Sequence, residues 1–388
     1  MRILLVNWWF PPFDSGGVPV YNLNMVKGLR ARGHEVRVIT SRRGNCGPEV
    51  AEGVVRVNYP RYARAQRVPA AGRYARFAAC CVYASRAHRA ASRLERSEGP
   101  FDVVEFAETN FEGLFWALKK KRYFIRSHTP WFLLDRFFSG EGRRSYSTGP
   151  IRRADEFFFR RATACSCPSG SLRQELMAEY GSGVPVEVIP NPVDTGAFRP
   201  AAAAPPKPVL LYFGRLERAK GIDIFLNAAE ILLREHQDLS IVVGGHSRDP
   251  AFNPESIRTR FAHDARLTLL PDVTDKMVPD VFREASVFAN PARVFESFSY
   301  TNAQAMASGV PVVTSGSGGM PEIVGSGVGG TVVADEDPRN WAAALRQYLL
   351  DENLRRMHGQ AARERAEQQF SLQAVAERLE AFYTRFTG

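Results

Sequence analysis

Short apolar runs alternate along this chain with amphipathic stretches and with turns rich in glycine and proline. RILLVNW reads as a strand, FPPFDSGG as a loop, and VPVYNLNMVKGLRARGH as an amphipathic helix with Pro19 in its first turn and Gly33 at its end. EVRVIT is the next strand. Strand, helix and strand in that order make a βαβ unit, which demands a parallel sheet and a right-handed crossover. Further strands are predicted at VVRVN, FDVVEF, KRYFIRS and ATACSC, with helical stretches between them. AAAAPPKP has no periodicity and reads as an interdomain linker. A second set follows: PVLLYFGRL, the helix GIDIFLNAAEILLREH, LSIVVGG, then short strands at LTLLPDV, SVFANP, VPVVTS and GGTVVA. The expected fold class is α/β, with doubly wound domains over residues 1–200 and 201–370 and a final amphipathic helix, SLQAVAERLEAFYTRF.

A chain of 388 residues fits two cores of roughly 150–200 residues each. No apolar run reaches the ~18–20 residues of a membrane-spanning helix. The opening MRILLVNWWFPP is read as a first buried strand, its apolar run being too short for a signal peptide. Cys46, Cys80, Cys81, Cys165 and Cys167 form no CxxC pair. An odd number without a framework spacing points to reduced thiols and a cytoplasmic protein.

Charge is unevenly spread. Of 51 Lys and Arg and 41 Asp and Glu, residues 1–200 hold 31 and 18, a net +13, which leaves −3 for residues 201–388. Nine arginines but one acid, Glu95, lie between Arg61 and Arg96, interleaved with Tyr62, Tyr74, Phe77 and Tyr83. A second basic and aromatic stretch runs from Arg136 to Arg161 through Phe137, Phe138, Arg143, Arg144, Arg152, Arg153 and Phe157. The plain reading is a solvated arginine-rich surface. The sharper ones are an anionic acceptor, or peripheral contact of this half with an anionic membrane on its inner face. No nucleic-acid-binding signature accompanies the charge, so nucleic acid is not expected as a partner.

The candidate chemistry sits in strand-to-helix loops. FESFSYTNAQ places Glu296 between a strand and a helix, ahead of the strand VPVVT and the loop SGSGG. That order builds a ligand crevice at the carboxyl ends of parallel strands. Arg215 and Lys220 flank the loop GRLERAKG, where the two cations could converge on one diphosphate or simply face solvent. Gly16 and Gly17, next to Ser15, let backbone amides approach an anion at a helix start, or serve only the turn. His128, in SHTP, lies at a strand's carboxyl end. Asp335, Glu336 and Asp337 contain a DxD, but Asp337 precedes Pro338 and a helix, so capping is expected and no metal site is inferred.

Together FPPFDSGG, SHTP, VIPNPVD, FGRLERAKG, IVVGG and FESFSYTNAQAMASGVPVVTSGSGGMPEIV resemble the family 4 retaining glycosyltransferases of the GT-B fold, over nearly the whole chain. The resemblance implies two Rossmann-like domains facing across a deep cleft, with helix 371–388 packing back on the first. It implies a nucleoside diphosphate sugar of UDP or GDP type held mainly by the second domain, an acceptor of unspecified kind held by the first, and no cofactor. Carried over, Arg215 and Lys220 grip the diphosphate, Glu296 orients the sugar, and the segment Ser297, Phe298, Ser299 and Tyr300 borders the donor. Gly17, with Gly16 beside it, meets the distal phosphate, and His128 contacts the sugar.

Gln304 stands where the family's second acid accepts from the ribose, and can still accept, without charge, through its carbonyl oxygen. The family's glycines are Ser297 and Ser299 here, and Pro192 replaces its hinge glycine. The implied activity is metal-independent transfer of a hexosyl-type sugar to an acceptor hydroxyl with retention. The alternatives are a weakly catalytic or non-catalytic sugar-nucleotide-binding protein, which Gln304 supports, and a sugar-nucleotide epimerase on the same fold.

Overall fold

The computed structural model of the protein describes residues 1–12, 16–42, 52–59, 69–138, 149–203, 205–247 and 249–387, with side chains from 74 in the helix beginning at 69 and up to 136 in the helix ending at 138. Cys46, Ser15, Arg61, Tyr62, Arg143 and Arg144, and the side chains of Phe137 and Phe138, lie outside the described residues.

The chain divides into one unit formed by Met1–Pro192 with Val375–Gly388 and a second formed by Val193–Ala374. The division therefore falls within VIPNPVD, and the alanine–proline segment expected as the linker belongs to the second unit. Local bonding explains this. The Val193 amide donates to the Phe370 carbonyl (2.6 Å), and Arg363 Nη1 donates to the carbonyls of Thr195 (3.0 Å) and Phe198 (2.7 Å). Phe198 itself is buried in the second unit's core.

In the first unit seven parallel strands, β1 (Arg2–Val6), β2 (Glu35–Arg42), β3 (Val54–Asn58), β4 (Val103–Ala107), β5 (Phe124–Arg126), β6 (Ala164–Cys167) and β7 (Val186–Val188), run in the order β3-β2-β1-β4-β5-β6-β7. Leu5 pairs with Val38 on one side and Glu105 on the other. Ile3, Leu4, Leu5 and Val6 are all buried, as expected of a central strand covered on both faces. The final helix, Leu372–Thr387, contributes Tyr383, which stacks edge-on with Phe124 and donates to Glu105 Oε2 (2.7 Å).

The second unit has six parallel strands, β8 (Val209–Phe213), β9 (Ser240–Gly244), β10 (Leu267–Leu270), β11 (Val287–Asn290), β12 (Val312–Ser315) and β13 (Gly330–Val333), in the order β10-β9-β8-β11-β12-β13. Its helix Ile222–Glu235 buries Ile222, Phe225, Leu226, Ala229, Leu232 and Leu233 on one stripe against the sheet. In both sheets the strand order reverses once, between β1 and β4 and between β8 and β11. Open α/β sheets hold ligands outside the carboxyl ends of their strands at that switch point, because the flanking loops diverge there. No helix of the described residues is long and apolar enough to cross a membrane.

Candidate active site

In the second unit three loops at the switch point are bound into one body. The loop after β8 carries Arg215, Leu216, Glu217 and the short turn Arg218–Lys220, then enters the helix Ile222–Glu235 through Gly221. Gly221 has φ +72°, and a Cβ there would sit 1.9 Å from the Pro291 carbonyl oxygen, so only glycine fits. The buried Tyr212 hydroxyl donates to the carbonyl oxygens of Arg215 (2.9 Å) and Lys220 (3.3 Å), fixing the loop's shape. After β11, Arg293 donates to the Asp223 carboxylate through Nη1 (2.6 Å) and Nη2 (2.9 Å), to the Arg218 carbonyl (2.7 Å), and pairs with Glu336 (2.9 Å). After β12, Ser317 Oγ donates to the Val294 carbonyl (2.8 Å) and the Gly319 amide to the Glu296 carbonyl (2.7 Å). Gly318 has φ +60°, and a Cβ there would approach the Glu296 carbonyl oxygen to 2.5 Å.

The result is a glutamate whose main-chain carbonyl is held by the Gly319 amide and whose carboxylate is held by a cation. Glu296 Oε1 pairs with Lys220 Nζ, both side chains about one-fifth exposed. Arg215 is half exposed, and its guanidinium engages Glu217 (2.8 Å). The structure thus brings Lys220 and Glu296 together, and ties Arg215 to Lys220 through the shared loop.

The segment after Glu296 buries Ser297, Phe298 and Ser299. Phe298 packs edge-on against Tyr300 and Phe370. Ser299 takes the left-handed φ of +63° and caps the helix Tyr300–Ala307 by accepting from the Asn302 amide. Asn290 Nδ2 donates to Ser299 Oγ (2.9 Å) and Asn302 Oδ1 (2.7 Å), and Asn302 Nδ2 to Thr314 Oγ1 (3.1 Å). This buried network joins β11, the helix and β12, and holds the segment in its strained turn. Gln304 lies half-buried on that helix. The three DED acids are occupied elsewhere: Asp337 caps the helix Pro338–Leu350, Asp335 accepts from the Asp337 amide and Asn340, and Glu336 pairs with Arg293.

In the first unit Gly16, at φ +113°, precedes the helix Gly17–Ala31, and both glycines are exposed. His128 follows β5 and is buried, its ring edge-on to Tyr21 at 4.8 Å. Burial, with the Arg126 charge adding to it, holds its imidazole well below the ordinary histidine range, so it is neutral. Around it stands a set of acids that sequence reading missed. Glu108 Oε1 accepts from the amides of His128 (2.9 Å) and Thr129 (2.7 Å), Glu112 from the Trp8 amide (3.0 Å), and Asp155 from the Phe111 amide (3.0 Å). Burial pushes Glu108 up to about 7 and raises Glu112 and Asp155 well above the carboxylate range. Asn110 and Phe111, at φ +62° and +41°, hold a strained turn after β4. Thr109 Oγ1, Glu112 Oε2, Ser127 Oγ and His128 Nε2 are buried with no hydrogen-bond partner among the described residues. Acids spaced through FDVVEFAETNFE at a strand's carboxyl end were the available signal.

The family description "Glycosyltransferase Family 4" matches residues 15–197, and "Glycosyl transferases group 1" matches residues 195–365. The chain belongs to the family 4 glycosyltransferases of the GT-B fold. This glycosyltransferase is 29% identical to the D-inositol 3-phosphate glycosyltransferase of Kineococcus radiotolerans, over 96% of this chain and 91% of that one. It shares its fold with the sucrose-phosphate synthase of Thermosynechococcus elongatus (TM-score 0.78, 18% identity, 99% of both chains). Anabaena HepE, solved in complex with UDP, is also similar (TM-score 0.74, 17% identity, 99% of this chain and 100% of that one).

Proposed function

We propose that this glycosyltransferase takes a nucleoside diphosphate hexose, with UDP ahead of GDP as carrier, and transfers the sugar to an acceptor hydroxyl with retention and without a metal ion. The observation that carries this reading is the Lys220–Glu296 pair at the second sheet's switch point, backed by Gly318 and Gly319. In this reading Lys220 and Arg215 meet the diphosphate, and Glu296, released from Lys220, accepts from a sugar hydroxyl. The bond from the anomeric carbon to the diphosphate oxygen breaks while the acceptor oxygen attacks on the same face. The acceptor's proton passes to the departing phosphate oxygen, so no protein nucleophile is required. Fixed donors facing the growing charge are the largest single aid to such a step.

The engagement of Asp335, Glu336 and Asp337 in capping and pairing supports metal independence. UDP is placed first because HepE carries it in its complex. Buried hydroxyls with no partner among the described residues, and a neutral imidazole, suit a hydroxyl-bearing acceptor in the first unit.

The test is a panel of UDP-, GDP- and ADP-sugars given to the purified chain with EDTA, with and without hydroxyl acceptors, the product's anomeric configuration being read by NMR. Retained configuration with turnover in EDTA is expected. An inverted product, or turnover restored only by a divalent cation, would overturn the reading. A new sugar isomer formed from donor alone would indicate epimerisation instead.

A further inference from the structure

A second concave basic site lies at the opposite end of the first sheet from His128. The residues just before β5 supply Lys120, Lys121 and Arg122, and those just before β6 supply Arg160 and Arg161. These five cations line a cavity of 600 Å³ whose other described lining residues are Ala117 and Thr163. No acid is among them. Outside the cavity, Glu95 reaches Lys121 (3.5 Å) and Glu156 reaches Arg160 (2.9 Å). Arg122 donates to the Thr387 carbonyl (2.8 Å), and Arg161 lies 3.9 Å over the Phe157 ring. Among the described residues, two of the five charges are therefore matched by an acid. The Lys120 ammonium has no bond to any described residue, and its backbone takes φ +52°, a conformation usually left to glycine or asparagine just past a helix.

Cations at helix carboxyl ends are common, and the helices Leu114–Leu118 and Pro150–Phe159 both end here. That accounts for single cations near each end. It does not account for two helix ends delivering their cations into one cavity, where like charges repel, nor for a lysine in a backbone position that disfavours it.

We propose that this cavity binds a compact multivalent phosphate, either free in solution or on the headgroup of an anionic phospholipid. Three guanidinium groups and two ammonium groups offer planar forks and point charges to several phosphate oxygens at once. A cavity of this size takes a ligand as large as a small phosphate ester. Placement at the amino ends of β5 and β6 separates this site from every residue assigned to sugar transfer.

Calorimetric titration of the full chain with pyrophosphate tests this. Pyrophosphate can also enter the proposed donor site, so the measurement is made on wild type, on Lys220→Ala, and on Lys120→Glu/Arg161→Glu. We expect a binding event that survives Lys220→Ala and weakens about tenfold or more in the double variant, whose thermal unfolding and turnover stay those of wild type. If charge reversal unfolds the chain, Lys120→Met/Arg161→Met serves instead. Sedimentation with phosphatidylglycerol–phosphatidylcholine vesicles, against phosphatidylcholine alone, separates the sources. Vesicle binding that the double variant abolishes and pyrophosphate displaces assigns the headgroup. Pyrophosphate binding without vesicle binding assigns a soluble phosphate. Pyrophosphate binding that vanishes in Lys220→Ala, or that is equal in wild type and the double variant, overturns the proposal.

Discussion

At the carboxyl end of the second sheet the chemistry-bearing side chains are charged and reach solvent: Lys220 with Glu296, Arg215 with Glu217, Arg293 with Asp223. At the same end of the first sheet they are buried, and Glu108, Glu112, Asp155 and His128 are all driven toward their neutral forms. The two sheets have equivalent topology around their switch points, so topology decides where a site lies and not what it binds. Charge in a solvated loop suits an anion that must arrive and leave. Buried groups driven neutral suit hydroxyls, since a buried polar atom with no partner among the described residues gains from a hydrogen bond.

The widest separation between the two ends should come from removing the charged pair. Lys220→Ala and Glu296→Ala are each expected to lower turnover by about 10²–10³, the scale of losing a fixed donor at a developing charge. Thermal unfolding should stay near that of wild type, because both side chains are partly exposed. Steady-state kinetics with circular dichroism checks this; near-normal turnover in both variants would leave the second unit without a role in donor activation.

Next in size is the backbone that holds Glu296. Gly318→Ala forces a Cβ against the Glu296 carbonyl at a φ of +60°, whereas a Cβ at Gly316 meets nothing within 4 Å. The first change should strain the fold by about 1–3 kcal/mol and cut turnover with it. The second should stay within about 0.5 kcal/mol of wild type. Equal melting temperatures for the two would mean that the loop after β12 does not hold the acid.

These two ends were not equally legible in the chain. Strand order and the loops bearing Arg215, Lys220 and Glu296 follow from apolar runs and glycine turns, which are local in sequence. Arg293 was invisible because its partners, Asp223 and Glu336, lie 70 and 43 positions away. The Asn290–Ser299–Asn302–Thr314 network was equally hidden, since small polar residues near a helix start read as ordinary capping. In the first unit the acids Glu108, Glu112 and Asp155 form no local motif in the sequence. Only folding shows that β4 and the helix Pro150–Phe159 bury them together. The unit boundary was misplaced for a related reason: composition marks AAAAPPKP, while the hydrogen bonds from Val193 to Phe370 and from Arg363 to Thr195 fix the break at Pro192.

The neutral-acid side of the comparison has a pH signature. Glu108 goes from 4.5 to about 7 on folding. A raised carboxyl contributes stability that is full below 4.5 and lost as pH rises through 7. Glu108→Gln imitates the protonated acid while keeping an oxygen for the His128 and Thr129 amides. Relative to wild type the variant should gain stability steadily between pH 4.5 and about 7, on the order of 1.4 kcal/mol per pH unit, and no more above that. Melting curves of both proteins across this range measure the difference directly, with the contribution of the depressed His128 cancelling between them. Parallel curves would mean that Glu108 is ionised in the folded protein, and the contrast between the two sheet ends would narrow.

The smallest expected effect concerns Gln304, which the family resemblance sets against the ribose. A neutral amide oxygen accepts a weaker hydrogen bond than a carboxylate by about 1 kcal/mol. Gln304→Glu should therefore tighten UDP binding about fivefold, and should leave the affinity for inorganic pyrophosphate unchanged because that ligand has no ribose. The paired titration matters more than either number. Tightening toward UDP alone assigns Gln304 to the sugar of the nucleotide. Weakening toward both ligands would mean that a new carboxylate there repels the diphosphate, and that the charged end of the second sheet extends further along the helix Tyr300–Ala307 than the Lys220–Glu296 pair implies.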